Sequence, residues 1–217
     1  MEKLLENRIR ALGTIDPTQT AVLAVHWQVD VVAPHGVFGQ VFAPAVTASG
    51  VIPRTAAVLA AARRAGACVV YVNVQYRPAY VGLVRNNALF NTVVEKKGFI
   101  RGTPGVAVIP ELAPQPDDAV VTHSRISSFY GTDLLDILIG HGIDTIAVTG
   151  VATNVAVDHT IRDAVQYGFR TFLLEDCCCS SDRAYHDAAL MTLRVLSTGV
   201  LKAQEFIDML AAGKPGS

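Results

Sequence analysis

The sequence predicts an α/β domain in which helices cover both faces of an open, mostly parallel β-sheet. Three observations lead to this prediction. Short and almost wholly apolar runs recur along the chain, amphipathic stretches of helical length separate them, and several of those stretches end at glycine. Strands that are buried on both faces have this apolar character. Crossover connections between such strands are right-handed and give a three-layer α/β/α sandwich.

Each element can be assigned from its own pattern. The predicted strands are 20–27, 67–74, 119–122, 145–149 and 170–174, with a short last strand at 200–201. The predicted helices are 52–65, 132–141, 154–167 and 182–196, with a C-terminal helix from residue 203. The Pro- and Gly-rich segment after the first strand predicts a loop. The stretch from Gln75 to Gln115 lacks a clear period, and so long a connection is typical of a lid or a binding segment.

Length and composition predict one domain, 1–217, of which residues 1–19 are an N-terminal extension. Of the 217 residues, 51% are hydrophobic and 17% are charged, and the mean hydropathy is +0.35. A chain of this size buries enough surface for a stable core, and its composition excludes disorder. The 18 basic and 19 acidic side chains leave no basic field for the phosphates of a nucleic acid.

The sequence also predicts a cytoplasmic protein without membrane contact. No apolar run approaches the ~20 residues of a membrane span. The N-terminal segment MEKLLENRIRALGTIDP lacks the apolar core and the cleavage site of a signal peptide. Three of the four cysteines are adjacent, Cys177 to Cys179, and do not form a disulfide framework. We expect these three to be buried and inert, because they lack the paired spacing of a zinc site.

Polar side chains follow the strands at the edge of the sheet where ligands bind. In open parallel sheets, the binding crevice lies beyond the carboxyl ends of the strands. His26 leaves the first strand and His123 leaves the third. Because these strands are expected to be near neighbours, we predict that the two histidines converge. The same rule selects Gln28 and Asp30 after strand one, Gln75 after strand two, and Ala152 and Asn154 after strand four.

Three segments resemble the isochorismatase-like hydrolases, a superfamily that also includes nicotinamidases and N-carbamoylsarcosine amidase. The segments are AVLAVHWQVDVV, GTPGVAVIPELAPQPDDAVVTHSRISSFYGTDLLDILIGHGI and DTIAVTGVATNVAVDHTIRDAVQYGFRTFLLEDCCCS. The resemblance covers residues 20–201 and depends most on SSFYGTDL followed by TGVATNVAVDHT. It implies a six-stranded, mostly parallel, Rossmann-like sheet in a three-layer sandwich, in agreement with the patterns above.

The chain differs from that family at three positions that carry catalytic side chains in its amide-cleaving members. Those members have an Asp after strand one, a Lys after strand three and a Cys that opens the helix after strand four. Here the positions hold His26, His123 and Ala156. Alanine has no nucleophilic atom, so the covalent cysteine route is closed at this position. Isochorismatases proper also lack the Cys, but they keep the Asp.

Two imidazoles offer acid–base chemistry in place of that triad. An unperturbed histidine titrates near ~6.5, so one ring can be neutral while its neighbour is protonated, and repulsion separates their apparent pKa values. We hypothesise that His26 and His123 activate water or transfer protons without a covalent intermediate, with activity limbs near imidazole pKa values. The resemblance further implies a cis peptide bond between Val151 and Ala152. It also implies an oxyanion hole formed by the amides of Ala152 and Ala156.

Further residues are candidates for substrate binding. They are Gln28, Asp30, Gln75, Arg85, Phe129, Tyr130 and Asn154. The resemblance places Gln75 and Arg85 near the Gln and Arg with which isochorismatases hold substrate carboxylates. Loop or cap hydrogen bonding is the alternative role for Gln28 and Asp30, and packing is the alternative for Phe129. For Gln75 and Arg85 the alternative is a place in a solvated lid.

We expect no metal and no other cofactor. Nicotinamidases bind a metal through an Asp-x-His pair and another histidine, and residues 43–53 hold no such pair. A chemical alternative is a metal held by His26, His123 and Asp30. Ser127 or Ser128 beside His123 is an alternative nucleophile, although a turn or cap role is commoner for such residues.

These features favour a hydrolase that acts on a small, anionic or carbonyl-bearing molecule. Two alternatives remain open. One is a catalytically silent relative that binds a metabolite or a protein partner in the same crevice, and the other is a lyase or isomerase that uses the same proton transfers. The resemblance also implies a homo-oligomer, either a dimer or a tetramer.

Overall fold

The computed structural model describes residues 14–213, so most of the predicted N-terminal extension, residues 1–13, lies outside the described part. A six-stranded parallel sheet has the order β3-β2-β1-β4-β5-β6, which confirms the predicted fold class. The strands are β1 (Thr20–Val25), β2 (Cys68–Val74), β3 (Ala119–His123), β4 (Thr145–Val151), β5 (Arg170–Cys179) and β6 (Gly199–Leu201). The α-helices among the described residues are α1 (Val29–Val32), α2 (Gly39–Ser49), α3 (Val51–Ala65), α4 (Ala88–Lys96), α5 (Leu134–Gly140), α6 (Asp158–Gln166), α7 (Arg183–Leu196) and α8 (Ala203–Ala212).

Alternate residues of each strand pack on opposite faces of the sheet. In β1, Ala21, Leu23 and Val25 belong to the core shared with α5, α6 and α7. Val22 and Ala24 belong to the core shared with α3 and α8. All residues of β1 are buried, as expected for a central parallel strand that is covered on both faces.

The register of the strands brings the two histidines to one edge of the sheet. The last residue of β1, Val25, pairs with Val72 of β2 on one side and with Gly150 of β4 on the other. On the far side of β2, Val74 pairs with His123 of β3. The carboxyl ends of β1 and β3 therefore lie within two residues of each other along β2, which is the only strand between them.

Two segments contain helices that the sequence patterns did not predict. The predicted loop after strand one holds α1 and α2, and α2 carries Pro44 in its interior, where proline is unfavourable. The stretch from Gln75 to Gln115 holds α4, which begins after Asn87, whose side chain accepts a hydrogen bond from the amide of Phe90. These helices are held mainly by tertiary packing, and the sequence therefore lacks a strong local signal for them.

The ends of β4 and β5 also differ from the prediction. The predicted helix 154–167 is divided into a π-helical turn (Thr153–Val157) and α6. Strand β5 is longer than predicted, because the register between β4 and β5 shifts between Val148 and Gly150 and the strand continues through Cys179. The adjacent cysteines are buried, as predicted, with Cys177 and Cys179 in one core and Cys178 in the other.

Within residues 14–213, no single helix has the length and apolar character needed to cross a membrane. When α2 and α3 are taken together, their length and composition are those of a membrane span, but the two helices are bent by 71° at the break between them.

Candidate active site

The two histidines that were predicted to converge are in direct contact. Their Nε2 atoms lie 2.6 Å apart, and their rings are stacked with centroids 4.8 Å apart and an interplanar angle of 24°. At this distance one nitrogen carries the proton and the other accepts it. His26 and His123 therefore form one hydrogen-bonded unit, which we call the histidine pair.

The backbone around β1 and β3 fixes the position of each ring. His26 follows β1 directly and has a φ of +58°, in the left-handed region that few residues other than glycine adopt. Its amide donates to the carbonyl of Val72 at 2.9 Å. His123 is the last residue of β3, and its carbonyl accepts a hydrogen bond of 2.9 Å from the amide of Gln75. Both rings are thus placed by the ends of strands, which are rigid elements.

Burial lowers the pKa of both rings. His123 is only 3% exposed, and burial lowers its pKa to about 4, against a smaller opposing effect of the backbone at Ser127 and Arg125. The pKa of His26 lies well below its ordinary value because of burial and the proximity of His123, with the backbone of Val151 acting in the opposite direction. Both rings are therefore neutral near pH 7, which differs from the expected pairing of a neutral ring with a protonated one.

The two rings border different spaces. His26 lines a small pocket of about 90 Å³, here called the apolar pocket, whose walls include Phe38, Phe90 and Phe99. This volume is roughly that of three water molecules in the liquid. His123 lines a cavity of about 430 Å³, here called the polar cavity, whose walls include Gln75, Arg77 and Arg101. The histidine pair thus lies between an apolar and a polar space.

The turn after β4 borders the apolar pocket. The Val151–Ala152 peptide bond is cis, and Ala152 and Ala156 both line the pocket. The carbonyl of Ala152 accepts hydrogen bonds from the amides of Val155 and Val157, at 3.1 and 3.3 Å, the residues on either side of Ala156. Amides at the start of a helix favour negative charge, and π-helical turns are frequent at functional sites.

A buried hydrogen bond holds this turn from the side of α7. The hydroxyl of Thr153, the first residue of the turn, lies 2.8 Å from Nδ1 of His186. Asn154, a predicted substrate-binding residue, accepts a hydrogen bond of 2.7 Å from the hydroxyl of Ser180. Asn154 does not line the apolar pocket, and its side chain contributes to holding the turn.

Gln28 and Asp30 hold the surrounding loops. The Gln28 side chain accepts from the amide of Val74 at 2.8 Å and donates to the carbonyls of Val74 and Val106 at 3.0 Å. One oxygen of Asp30 accepts from the amide of Phe99 at 2.8 Å and the other from Val37 at 3.4 Å. These are the loop hydrogen bonds that the sequence offered as the alternative role for both residues, and neither residue lines the apolar pocket.

The remaining predicted substrate-binding residues also lie outside the apolar pocket. Arg85 is exposed and donates to Asn91 at 3.0 Å. Gln75 lines the polar cavity. Tyr130 is 68% exposed and lines a groove of about 530 Å³, here called the open groove. Phe129 is buried, with its ring centroid 5.3 Å from that of Tyr167, so it packs under α6 as in the alternative reading.

The side chains do not favour the metal alternative. Within the described residues, no three His, Cys, Asp or Glu side chains are arranged to hold a metal ion. The Nε2 atoms of His26 and His123 face each other at hydrogen-bond distance, and both oxygens of Asp30 accept backbone hydrogen bonds. These two nitrogens and two oxygens are therefore already engaged in hydrogen bonds.

The two alternative nucleophiles are held by α6. The hydroxyl of Ser127 donates to Asp163 at 2.5 Å and accepts from the amide of Phe129. The hydroxyl of Ser128 lies 2.6 Å from that of Thr160. Both serines link the segment after β3 to α6, and neither lines the apolar pocket.

Arg125 is the main functional candidate that sequence reasoning missed. It lines the apolar pocket, and its guanidinium carbon lies 5.7 Å from the ring centroid of Phe90. The signal for Arg125 was its position two residues after His123, at the end of a strand. The sequence does not predict the helix that carries Phe90, because residues 75–115 lack a clear hydrophobic period.

A larger cavity of about 690 Å³ lies beside the end of β5, away from the histidine pair. Its three arginines each pair with an acidic side chain. The pairs are Arg54 with Asp176 at 3.4 Å, Arg183 with Asp187 at 2.8 Å and Arg194 with Glu175 at 2.8 Å. Because these charges neutralise one another, we place the candidate active site at the histidine pair and the apolar pocket.

Comparisons with known proteins show which family the chain resembles. The Isochorismatase domain family matches residues 20–205. Maleamate amidohydrolase from Pseudomonas putida is 28% identical over 169 residues, which is 78% of each protein. A cysteine hydrolase from Pseudomonas syringae superposes with a TM-score of 0.84 at 28% identity, over 92% of this chain and 96% of that one. N-carbamoylsarcosine amidase from Thermoplasma acidophilum superposes with a TM-score of 0.67 at 25% identity, over 85% of this chain and 96% of that one. The chain belongs to the isochorismatase-like hydrolase family.

Proposed function

We propose that this chain is a small-molecule hydrolase that works without a covalent cysteine intermediate. The histidine pair is its acid–base unit, and the amides of Ala152 and Ala156 stabilise the oxyanion. The observation that carries the proposal is the 2.6 Å contact between the two Nε2 atoms, formed beside a pocket that Ala152 and Ala156 line. Two relatives are named as an amidohydrolase and an amidase, and we therefore propose an acyl substrate, either an amide or an ester.

The chemistry of the pocket supports a route without a covalent intermediate. Ala156 occupies the position at which the resemblance places the cysteine nucleophile, and it is only 2% exposed. The cysteines of β5 do not replace that nucleophile, because burial raises the pKa of Cys177 and Cys179 to about 12 and that of Cys178 well above its usual range. A thiol with a pKa this high carries almost no thiolate near neutral pH.

In the proposed reaction, water attacks the carbonyl carbon of the substrate. Nε2 of His26 exchanges its hydrogen bond with His123 for one with that water and takes its proton, and the charge that forms on the carbonyl oxygen is held by the two backbone amides. The bond to the leaving group then breaks, and the pair returns its proton to the leaving nitrogen or oxygen. The products are a carboxylic acid and an amine or alcohol, and the pair is neutral again.

The positions of the rings suggest different roles. His26 lines the apolar pocket and is the ring that meets the attacking water. His123 lies behind it, against the polar cavity, and we assign it the role of positioning His26 and sharing its proton. The lowered pKa values keep the pair neutral, so it is ready to accept a proton but is a weak base. Stabilisation of the oxyanion therefore carries a large share of the rate enhancement.

The test is a screen of small amides, esters, lactones and enol ethers with purified protein and matched variants. We expect turnover of an acyl substrate, and a loss of at least ~100-fold in kcat/KM in His26→Gln and His123→Gln, because general acid–base groups contribute about 10²–10⁴-fold. His141→Gln is the control, since that ring is exposed and its Nδ1 lies 2.8 Å from the carbonyl of Ile137 in α5. Circular dichroism checks that each variant is folded.

Three outcomes would contradict the proposal. Binding without turnover across the panel would indicate a catalytically silent relative. A product without oxygen from ¹⁸O-labelled water would indicate a lyase or isomerase. An acyl-enzyme trapped by mass spectrometry would show that a nucleophile of the protein takes part after all.

A further inference from the structure

The short connection between β5 and α7, residues 180–182, runs beside the turn that follows β4. Strand β5 ends at Cys179, which pairs with Val151, the residue before the cis peptide bond. Helix α7 then begins with a hydrogen-bonded cap from the side chain of Asp182. His186 lies in the first turn of α7, and this position brings its ring against the turn after β4.

The hydrogen bond that joins His186 to Thr153 is buried. Nδ1 and the hydroxyl oxygen lie 2.8 Å apart, and the two residues are 7% and 0% exposed. Water therefore has little access to replace this bond when one partner is removed. The bond from Ser180 to Asn154 reaches the same turn, but Asn154 is exposed and water can take the place of the serine. His186 is thus the stronger of the two restraints on the turn.

The ring of His186 is uncharged near pH 7. Burial and the nearby Arg183 lower its pKa, against opposing effects of Asp187 and Glu175. A neutral imidazole has one nitrogen that donates a hydrogen bond and one that accepts. His186 therefore restrains the turn through the geometry of one hydrogen bond and not through charge. An uncharged amide of similar reach can replace it, which makes Asn a conservative substitution here.

We propose that His186 is a positioning residue for the reaction and acts through Thr153 on the turn that carries the oxyanion hole. Thr153 lies directly after Ala152, and the turn that it begins contains Ala156. Neither His186 nor Thr153 lines the apolar pocket. An oxyanion hole stabilises the transition state only when its donors are held at the right distance, and groups outside the pocket fix that distance. The oxyanion hole itself belongs to the proposed function, on which this inference rests.

The surroundings of His186 leave room for substitutions. The ring lines the cavity of about 690 Å³ beside the end of β5, so a side chain of different shape at this position meets open space on one side. We therefore expect variants of His186 to fold, and their effects can be attributed to the lost hydrogen bond.

The experiment compares two replacements of His186. His186→Asn places an amide near the position of Nδ1 and keeps a bond to Thr153, whereas His186→Leu has no group that can form a hydrogen bond. With an acyl substrate, we expect the kcat of His186→Leu to fall at least ~10-fold and its KM to stay within about twofold, because the lost interaction acts in the transition state. His186→Asn should recover most of that loss, and Thr153→Val should match His186→Leu.

A second readout does not need turnover. The amides of Val155 and Val157 bond to the carbonyl of Ala152, so their hydrogen exchange reports how firmly the turn is held. We expect exchange at both amides to be at least about tenfold faster in His186→Leu, with exchange in β1 unchanged. Ser197→Ala is the matched control, because it removes buried hydrogen bonds at the other end of α7. Its exchange at the two amides and its kcat should be those of the wild type.

The outcomes separate this inference from the proposed function. If the wild type turns over no substrate, the proposed function fails, and exchange at Val155 and Val157 still decides whether His186 holds the turn. Equal exchange at these amides in the wild type and a folded His186→Leu would overturn the inference. A raised KM with unchanged kcat would also overturn it. The same holds for an equal fall in kcat in His186→Asn and His186→Leu, which would show that the shape of the ring matters and not its hydrogen bond.

Discussion

At the scale of residues, the site depends on two neutral imidazole rings that are joined by one hydrogen bond. His26 and His123 lie at the ends of two strands, and this could be predicted from the sequence because apolar runs mark where strands end. Their protonation could not be predicted, because it depends on burial, and burial is a property of the assembled fold. The expected activity limbs near the ordinary imidazole pKa therefore move to lower pH, since burial lowers the pKa of both rings.

The lowered pKa values predict how stability depends on pH. His123 has a pKa of about 4 in the folded chain and an ordinary value near ~6.5 when unfolded, so the unfolded chain binds more protons between these limits. The free energy of unfolding should therefore fall as the pH drops from about 6.5 towards 4, by up to about 3 kcal/mol from this residue. Above pH 7 it should contribute no further change.

Urea unfolding of the wild type and His123→Gln at pH 7.0, 6.0, 5.0 and 4.5 measures this difference. The stability gap between the two proteins should narrow steadily as the pH falls. His141→Gln, in an exposed position, is the control for replacing a histidine outside the site. A gap for His123→Gln that is independent of pH would mean that the ring titrates normally in the folded state.

At the scale of elements, the close contact of β1 and β4 positions the turn that carries Ala152 and Ala156. Gly150 has a φ of +144°, and a Cβ at this position would lie 2.3 Å from the carbonyl oxygen of Val25, the residue just before His26. Glycine lets the two strands approach at the point where both reach the site. The sequence could predict both strands, but the close approach depends on their register.

Gly150→Ala should therefore destabilise the protein. Because the clash is with backbone, we expect a loss of at least about 2 kcal/mol, which corresponds to a fall in Tm of roughly 4 °C or more. Gly140→Ala is the matched control, since a Cβ there meets no atom within 4 Å and alanine favours the helix. Thermal unfolding followed by circular dichroism distinguishes the two. Equal melting temperatures for Gly150→Ala and Gly140→Ala would show that the strands can separate without cost.

At the scale of the whole molecule, the sequence predicted the layers and the edge that carries the site but not the walls of the pocket. The parallel sheet followed from buried apolar runs, and the convergence of the histidines followed from the topology of such sheets. The aromatic walls, Phe38, Phe90 and Phe99, come from segments whose local sequence has no strong period. Their place is set by contacts distant in sequence, such as the hydrogen bond from Phe99 to Asp30.

The most direct test of the histidine pair is a pH titration of the imidazole nitrogens by ¹H–¹⁵N NMR, with assignments from His26→Gln and His123→Gln. We predict that both rings are neutral at pH 7, that their Nε2 atoms share a hydrogen bond, and that His123 titrates near pH 4. Two rings that titrate independently near ~6.5, as solvated histidines do, would contradict the existence of the pair.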